Sequence, residues 1–278
     1  MKFVIKEVDK FTATEFIQSL HYSKIMPRLT KHYLGCFLVD ELVGVLTLGW
    51  GTQPKATINK LFTGLDTSDY YEIGKMCMTE EMPRNSESQM ISGVVKWMKT
   101  NTPERKFLFT WADGIMGKPG YVYQAANFLY GGSIQTQIYI SPEGEKIHPR
   151  SSKRLCEENV IFEKNRDPEF FKDRKGEKIY WLTQDFLDAK GISKIFGRQF
   201  RYILPMNKKS RKLLSKSTVE WNLNYPKHID LIWHQSSKTG KFQLEEMPNI
   251  ESDVTEYNEK NINSHKKNIP VSLDNFLI

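Results

Sequence analysis

YYEIGKMCMTEEMPRNSESQMISGVVKWMKT, residues 70–100, reads as one strand, one short loop and one long helix. The run YYEIGKMCM is rich in β-favouring residues, and Met82-Pro83 stops it. Asn85-Ser86 then open an amphipathic helix over 86–100, with Met90, Ile91, Val94, Val95, Trp97 and Met98 as its apolar positions. Thr102-Pro103 ends that helix. The start of a helix presents free backbone N–H groups and the positive end of a dipole, so the loop PRNSES suits an anion. Arg84 adds a cation there; Asn85, Ser86 and Ser88 add donors. The same residues also fit a plain capping box of Ser86 with Gln89.

Working outward, residues 2–8 predict a strand, and Thr12-Ala13-Thr14-Glu15 opens a helix running to about Leu20. HYLGCFLV (32–39) and LVGVLTLGWG (42–51) form two strands joined through Asp40-Glu41. KFLFTWAD (106–113) is a further strand, and a helix follows from about Gly120 to Leu129. SIQTQIYIS and EKIHP close as a last hairpin across Pro142-Glu143-Gly144. The resulting order, β-α-β-β-β-α-β-α-β, is that of a mixed α/β domain.

Composition bounds the function. At 278 residues, 39% hydrophobic and 12% aromatic, the chain can bury a core, and it contains no apolar run of membrane-spanning length. MKFVIKEVDK interrupts its apolar stretch with charges, so no signal peptide is expected. Cys36, Cys77 and Cys156 are too scattered for a disulfide framework or a zinc site, which suits reduced thiols in the cytoplasm. The formal charge is +7, and its excess is concentrated. Between Arg198 and Lys241 ten Lys/Arg oppose only Glu220 and Asp230, and Lys208, Lys209, Arg211, Lys212 and Lys216 crowd into nine residues. Aromatics interleave with them, as phosphate contact and base stacking require; a solvated lysine-rich helix fits as well. Residues 245–268 hold few large apolar side chains, which predicts a flexible tail.

The element order resembles the GNAT acyltransferase fold. YQAANF (123–128) is similar to that family's tyrosine ahead of a helix-closing phenylalanine, and Glu72 lies on the strand that often carries its general base. A narrower resemblance is to the phage Mom family, carried by HYSKIMP (21–27), GVLTLG (44–49), EIGKMCM with PRNSES (72–88), and WADG with GYVYQAANFLYGG (111–132). Lys75 stands where that family usually has arginine, and Lys118-Pro119 follow Gly117 where a histidine often sits. The resemblance implies a GNAT-like core over 1–141; charge and composition add a basic α+β extension over 142–242 that helps hold DNA, and a tail over 243–278. It implies a transferase that adds a carbamoylmethyl group to adenine N6 in DNA and so blocks restriction. A generic GNAT N-acetyltransferase acting on a protein or small amine is the alternative.

On that reading His21, Tyr22, Asp113 and Tyr123 are catalytic. His21 serves as general base, as metal ligand or simply as a helix-end residue; Asp113 orients the amine, completes an iron site with His21 and a tyrosine, or caps its own turn; Tyr123 acts as acid or packs in the core. Met78, Arg84, Asn85, Ser86, Ser88 and Asn127 would hold an acetyl-CoA-type donor. Trp111, His148, Arg150, Lys208, Lys209, Arg211 and Lys212 would meet DNA, with Trp50 and Tyr130 as further stacking candidates for a base that must be flipped out or unpaired. His148 fits an exposed surface position equally well.

Overall fold

The computed structural model describes residues 2–147, 152–172, 179–250 and 252–253. Strand β1 (Phe3–Glu7) leads into helix α1 (Lys10–Leu20), then strands β2 (Thr30–Leu38) and β3 (Glu41–Gly49). The start of α1 precedes the expected one because Asp9 caps it, accepting from the N–H groups of Phe11 and Thr12. Helix α2 (Pro54–Leu61) follows, with proline in its first turn; its eight residues give only a short periodic signal. Strand β4 (Tyr70–Met78), helix α3 (Ser86–Asn101) and strand β5 (Phe107–Ala112) match their expected places closely.

The second half departs further from expectation. Helix α4 (Tyr121–Ala125) is a short turn ended by left-handed Asn127, and Leu129 already begins strand β6 (Leu129–Ile140). The hairpin to β7 (Glu145–Ile147) exists, but it does not complete the sheet. After helices α5 (Ser152–Arg166) and α6 (Gln184–Ala189), strand β8 (Ser193–Pro205) inserts between β5 and β6. The seam expected at residue 141 is therefore bridged by the sheet itself: part of the basic extension is a central strand. Helix α7 (Lys208–Leu213) leaves the end of β8, and strands β9 (Trp233–Ser237) and β10 (Gly240–Leu244) form a hairpin on it. The short β11 (Ser252–Asp253) pairs with β7.

The sheet order is β1-β2-β3-β4-β5-β8-β6-β7-β11, with the β9–β10 hairpin attached to β8. Among the described residues only β4–β5 and β7–β11 pair in parallel. Helices α1 and α3 cover opposite faces: Ala13 and Ile17 pack on Val45, while Met90, Ile91, Val94 and Met98 join Leu34, Cys36, Leu46 and Leu48. That alternation along β2 and β3 is the period-two pattern read from their sequences. A smaller core of Tyr139, Ile147, Cys156, Leu182, Phe186, Leu187 and Ile192 roots α5 and α6 on the β6–β7 end. The tail expected from residue 243 does not start there: β10 reaches Leu244, and Leu244 and Ile250 pack on the main core. Residues 251 and 254–278 lie outside the described ones.

Candidate active site

The site originates in a fault in β4. Leu46 pairs with Met76 but Leu48 pairs with Ile73, so two β4 residues, Gly74 and Lys75, oppose Thr47 alone. The Thr47 hydroxyl accepts the Lys75 N–H at 2.8 Å, which replaces a ladder bond at the bulge. A bulge bends its strand. Accordingly β4 pairs with β5 only over Tyr70–Glu72 with Phe107–Phe109, and the two parallel strands part beyond that point.

Glu72 sits where they part. One carboxylate oxygen, Oε2, is sealed from solvent without a hydrogen-bond partner, and burial pushes the carboxyl up to about 8, against a backbone hydrogen bond from Gly51. Tyr123 lies close by, hydrogen-bonded with Thr110; burial raises its phenol, and the fields of Glu72 and Asp113 raise it further. A phenol so placed keeps its proton and can donate it. The sequence placed Glu72 on the right strand but left it undistinguished, because its selection depends on the bulge and the burial.

Asp113 follows the last residue of β5, in a turn laid flat on β8. A Cβ on Gly114 would lie 2.4 Å from the Phe200 ring and 2.7 Å from the Arg198 carbonyl, so only glycine permits this approach. Burial pushes the Asp113 carboxyl up, and the charges of Lys146 and Lys75 with hydrogen bonds from Tyr22 and Gln199 oppose it. Its Oδ1 is buried without a hydrogen-bond partner.

Residues 21–29 cross the sheet as a strap. The Trp50 N–H donates to the Leu29 carbonyl at 2.8 Å, and Lys75 Nζ donates to the Ser23 carbonyl at 2.8 Å. The strap carries His21 and Tyr22, whose rings stack at 4.4 Å, and the Tyr22 hydroxyl reaches Asp113 Oδ2 at 3.3 Å. His21 departs from the general-base expectation. Ser23 N–H donates to its Nδ1 at 2.9 Å, so the neutral ring carries its proton on Nε2. Burial, together with Lys75, Lys118 and Lys146, lowers its pKa to about 3. The ring is therefore a hydrogen-bond donor at working pH. The three lysines themselves place their ammonium groups 6.0, 4.9 and 5.9 Å from the Tyr22 ring centroid.

At the other end of β4 the donor-loop residues divide. Asn85 is the N-cap in a left-handed conformation, without a side-chain cap bond, so the expected Ser86–Gln89 box does not form. Ser86 is buried and its hydroxyl donates to the Pro83 carbonyl at 2.7 Å; the Ser88 hydroxyl donates to the Asn85 carbonyl at 2.9 Å. Arg84 is exposed at the helix start, Met78 is half-buried beside Gly44, and Asn127 is exposed after α4. For the iron expectation, His21, Tyr22 and Asp113 do come together, while no group of three His, Cys, Asp or Glu converges among the described residues.

The DNA candidates also separate. Trp50 is only 8% exposed and its indole donates to the Thr67 carbonyl, which makes it a core residue. Arg201 lies over the half-buried Trp111 ring at 5.2 Å, and Tyr130 packs among Phe200 and Tyr202. Lys208, Lys209, Arg211 and Lys212 are exposed on α7. Pro205, just before them, pairs with Phe107, so α7 stands at the far end of β5 from Asp113. Six residues of strand separate the two, roughly 20 Å. His148 and Arg150 lie outside the described residues. No helix among those described is long and apolar enough to cross a membrane.

A mixed sheet whose parallel middle strands part beside a carboxylate with one oxygen sealed from solvent defines a mixed α/β protein. More narrowly, the chain belongs to the Mom protein family, whose profile matches residues 2–227. It is 28% identical to the methylcarbamoylase Mom of Escherichia phage Mu over 211 residues, which span 76% of this chain and 78% of that protein. Among solved structures it is similar to AAC(6')-Ib in complex with ribostamycin and coenzyme A, at 9% identity and a TM-score of 0.37, over 48% of this chain and 87% of that one. A GNAT-family acetyltransferase from Streptococcus pneumoniae is similar at 11% identity and a TM-score of 0.33, over 48% and 89% of the two chains.

Proposed function

We propose that this chain is a phage-type DNA-modifying transferase that adds a carbamoylmethyl group to the N6 amine of adenine, acting in the host cytoplasm and hindering restriction. The observation that carries the reading is the joining of Mom-family membership to the Glu72–Tyr123–Asp113 grouping where β4 and β5 part.

The chemistry follows from what these groups can do. Adenine N6 is a weak nucleophile because its lone pair is delocalised into the ring, so it must be positioned and relieved of a proton. Asp113, with its unpartnered Oδ1, accepts a hydrogen bond from the amine and orients it. As the new N–C bond forms, the amine proton passes to ionised Glu72, and the bond from the transferred carbon to its leaving group breaks. Tyr123, held protonated, donates to that leaving group. His21 offers its Nε2–H to developing negative charge.

A coenzyme A-type donor would have to carry the carbamoylmethyl group through its methylene carbon, because an acyl thioester would deliver a carbonyl and form an amide; coenzyme A binding is inferred from the loop alone. Arg84 and the backbone of the Asn85–Ser88 turn suit its phosphates, with Met78 and Asn127 as flanking residues. Ser86 supports the turn from below, since its hydroxyl is committed to Pro83. Target adenine must be unpaired or flipped out to reach this depth.

Nucleosides from cells expressing the protein decide the matter by mass spectrometry. An adenine heavier by the transferred group, in DNA that resists several restriction enzymes, is the expected outcome. Unmodified nucleosides alongside abundant folded protein and an acetylated protein or small amine would overturn it in favour of a generic acetyltransferase.

A further inference from the structure

Arg201 is a half-buried cation to which the fold gives no counter-charge. It lies on β8 opposite Trp111 of β5, with its guanidinium 5.2 Å from the Trp111 ring centroid. Nη1 donates to the Gly131 carbonyl at 3.1 Å, and Nε is sealed from solvent without a hydrogen-bond partner. Among the described residues no carboxylate pairs with it: burial disfavours its charged form, and only the field of the Tyr130 phenol opposes burial. A guanidinium drawn out of water needs an anion close by. The indole beneath it and the Gly131 bond hold the fork in one place. Gly131 is itself clamped, since a Cβ there would lie 2.2 Å from the Trp221 ring.

The sheet register decides which substrate this cation faces. Gly49 shares a face of β3 with Val45, on which α1 packs; Gly49 opposes Glu72, and Glu72 opposes Phe109. Trp111, two residues on from Phe109, therefore lies on the α1 side, and Arg201 lies there with it. Gln199, two residues before Arg201 on the same strand, hydrogen-bonds with Asp113. The pair thus stands roughly 7 Å along the strand from the carboxyl assigned to the amine. Thr110 belongs to the other face, where it meets Tyr123, the group assigned to the leaving group, and where α3 packs behind its anion loop. Acceptor and donor are divided between the two faces, and Arg201 is on the acceptor's.

We infer that Arg201, set in place by Trp111 and Gly131, binds a backbone phosphate of the DNA strand that delivers the target adenine. The inference rests on the transferase reading above. A phosphodiester is the anion that such a substrate carries beside every base, and its two free oxygens match a guanidinium fork. The donor's phosphates belong at Arg84, on the other face. With its phosphate held, an unpaired nucleotide loses rotational freedom and presents its exocyclic amine to Asp113.

Full-length parent, Arg201→Met and Arg201→Lys are titrated with a labelled single-stranded oligonucleotide of a few nucleotides across a salt series, and with coenzyme A by calorimetry. Urea unfolding runs alongside. Arg201→Met should reduce the slope of log K against log salt by about 0.7. It should weaken the oligonucleotide roughly tenfold at low salt and leave coenzyme A within about twofold of the parent. Arg201→Lys should restore the slope but not the full affinity, because lysine lacks the planar fork. The urea midpoint of Arg201→Met should match or exceed the parent's, because the fold gives that charge no partner. An unchanged slope in folded Arg201→Met, or weaker coenzyme A binding with the slope intact, overturns the inference. A Met variant too unstable to titrate would mean that the fold itself uses the charge, and overturns it equally. The nucleoside assay is independent of this result: modified adenine with no effect at Arg201 removes the phosphate contact alone, whereas Arg201-dependent oligonucleotide binding without modified adenine removes the reaction alone.

Discussion

At the scale of single residues, Glu72 makes the sharpest commitment. Its carboxyl is pushed up to about 8 by burial, so the folded protein favours the protonated form. The unfolded chain releases that proton in the ordinary carboxylate range. Between that range and about pH 8 the native state therefore binds more protons than the unfolded state, and stability falls as pH rises. A base must be ionised, so activity rises over the upper part of the same window. Glu72→Gln should abolish this pH slope of the melting temperature and lower turnover about 10²-fold or more, as thermal melts and nucleoside assays from pH 5 to 9 would show. Asp113→Asn and Tyr123→Phe change one charge and one hydroxyl. Each should reduce modification by about 10²-fold while oligonucleotide affinity stays within about twofold of the parent. Normal activity in both would return the two residues to structural roles.

At the scale of elements, the start of α3 separates two functions that the sequence merges. Arg84 is exposed and Ser86 is buried beneath it. Arg84→Ala should weaken coenzyme A by about 1–3 kcal/mol, read by calorimetry, and leave the urea midpoint unchanged. Ser86→Ala should do the reverse. Its hydroxyl supports the Pro83 carbonyl at 2.7 Å, so its loss should cost about 1 kcal/mol in urea unfolding with little effect on coenzyme A.

At the scale of the whole molecule, positive charge lies at both ends of β5. Helix α7 holds Lys208, Lys209, Arg211 and Lys212 near Phe107, while Lys75, Lys118 and Lys146 surround Tyr22 beside Asp113. A substrate must extend roughly 20 Å to touch both. Replacing the four α7 cations by Ala should flatten the salt slope on a long duplex by roughly 2–4 units, allowing for side chains that point away. On an oligonucleotide of a few nucleotides, bound at the site alone, the same variant should match the parent. An unchanged slope on the long duplex would leave α7 as a solvated face.

Local chemistry determined much of this protein. Pro83, the apolar period of 86–100 and the β-rich run before it specify β4, its loop and α3 without reference to the rest of the chain. The alternation in 32–39 and 42–51 likewise specifies two strands and the faces they bury, since a strand's period of two does not depend on its neighbours. Asp113 and Tyr123 were legible as site candidates through their motifs. Tertiary structure alone decided the rest. Glu72 becomes singular only when Gly74 and Lys75 bulge against Thr47 and bend β4 from β5. Strand β8 lies more than fifty residues beyond β6 yet pairs with it along ten residues, a register that no local pattern encodes. His21 changes from a possible base to a donor because Ser23 takes its Nδ1. Lys118 and Lys146 were ordinary lysines until the fold brought them around Tyr22. Propensity acts over a few residues, whereas burial and charge act through space, and the site is made of the second kind of information.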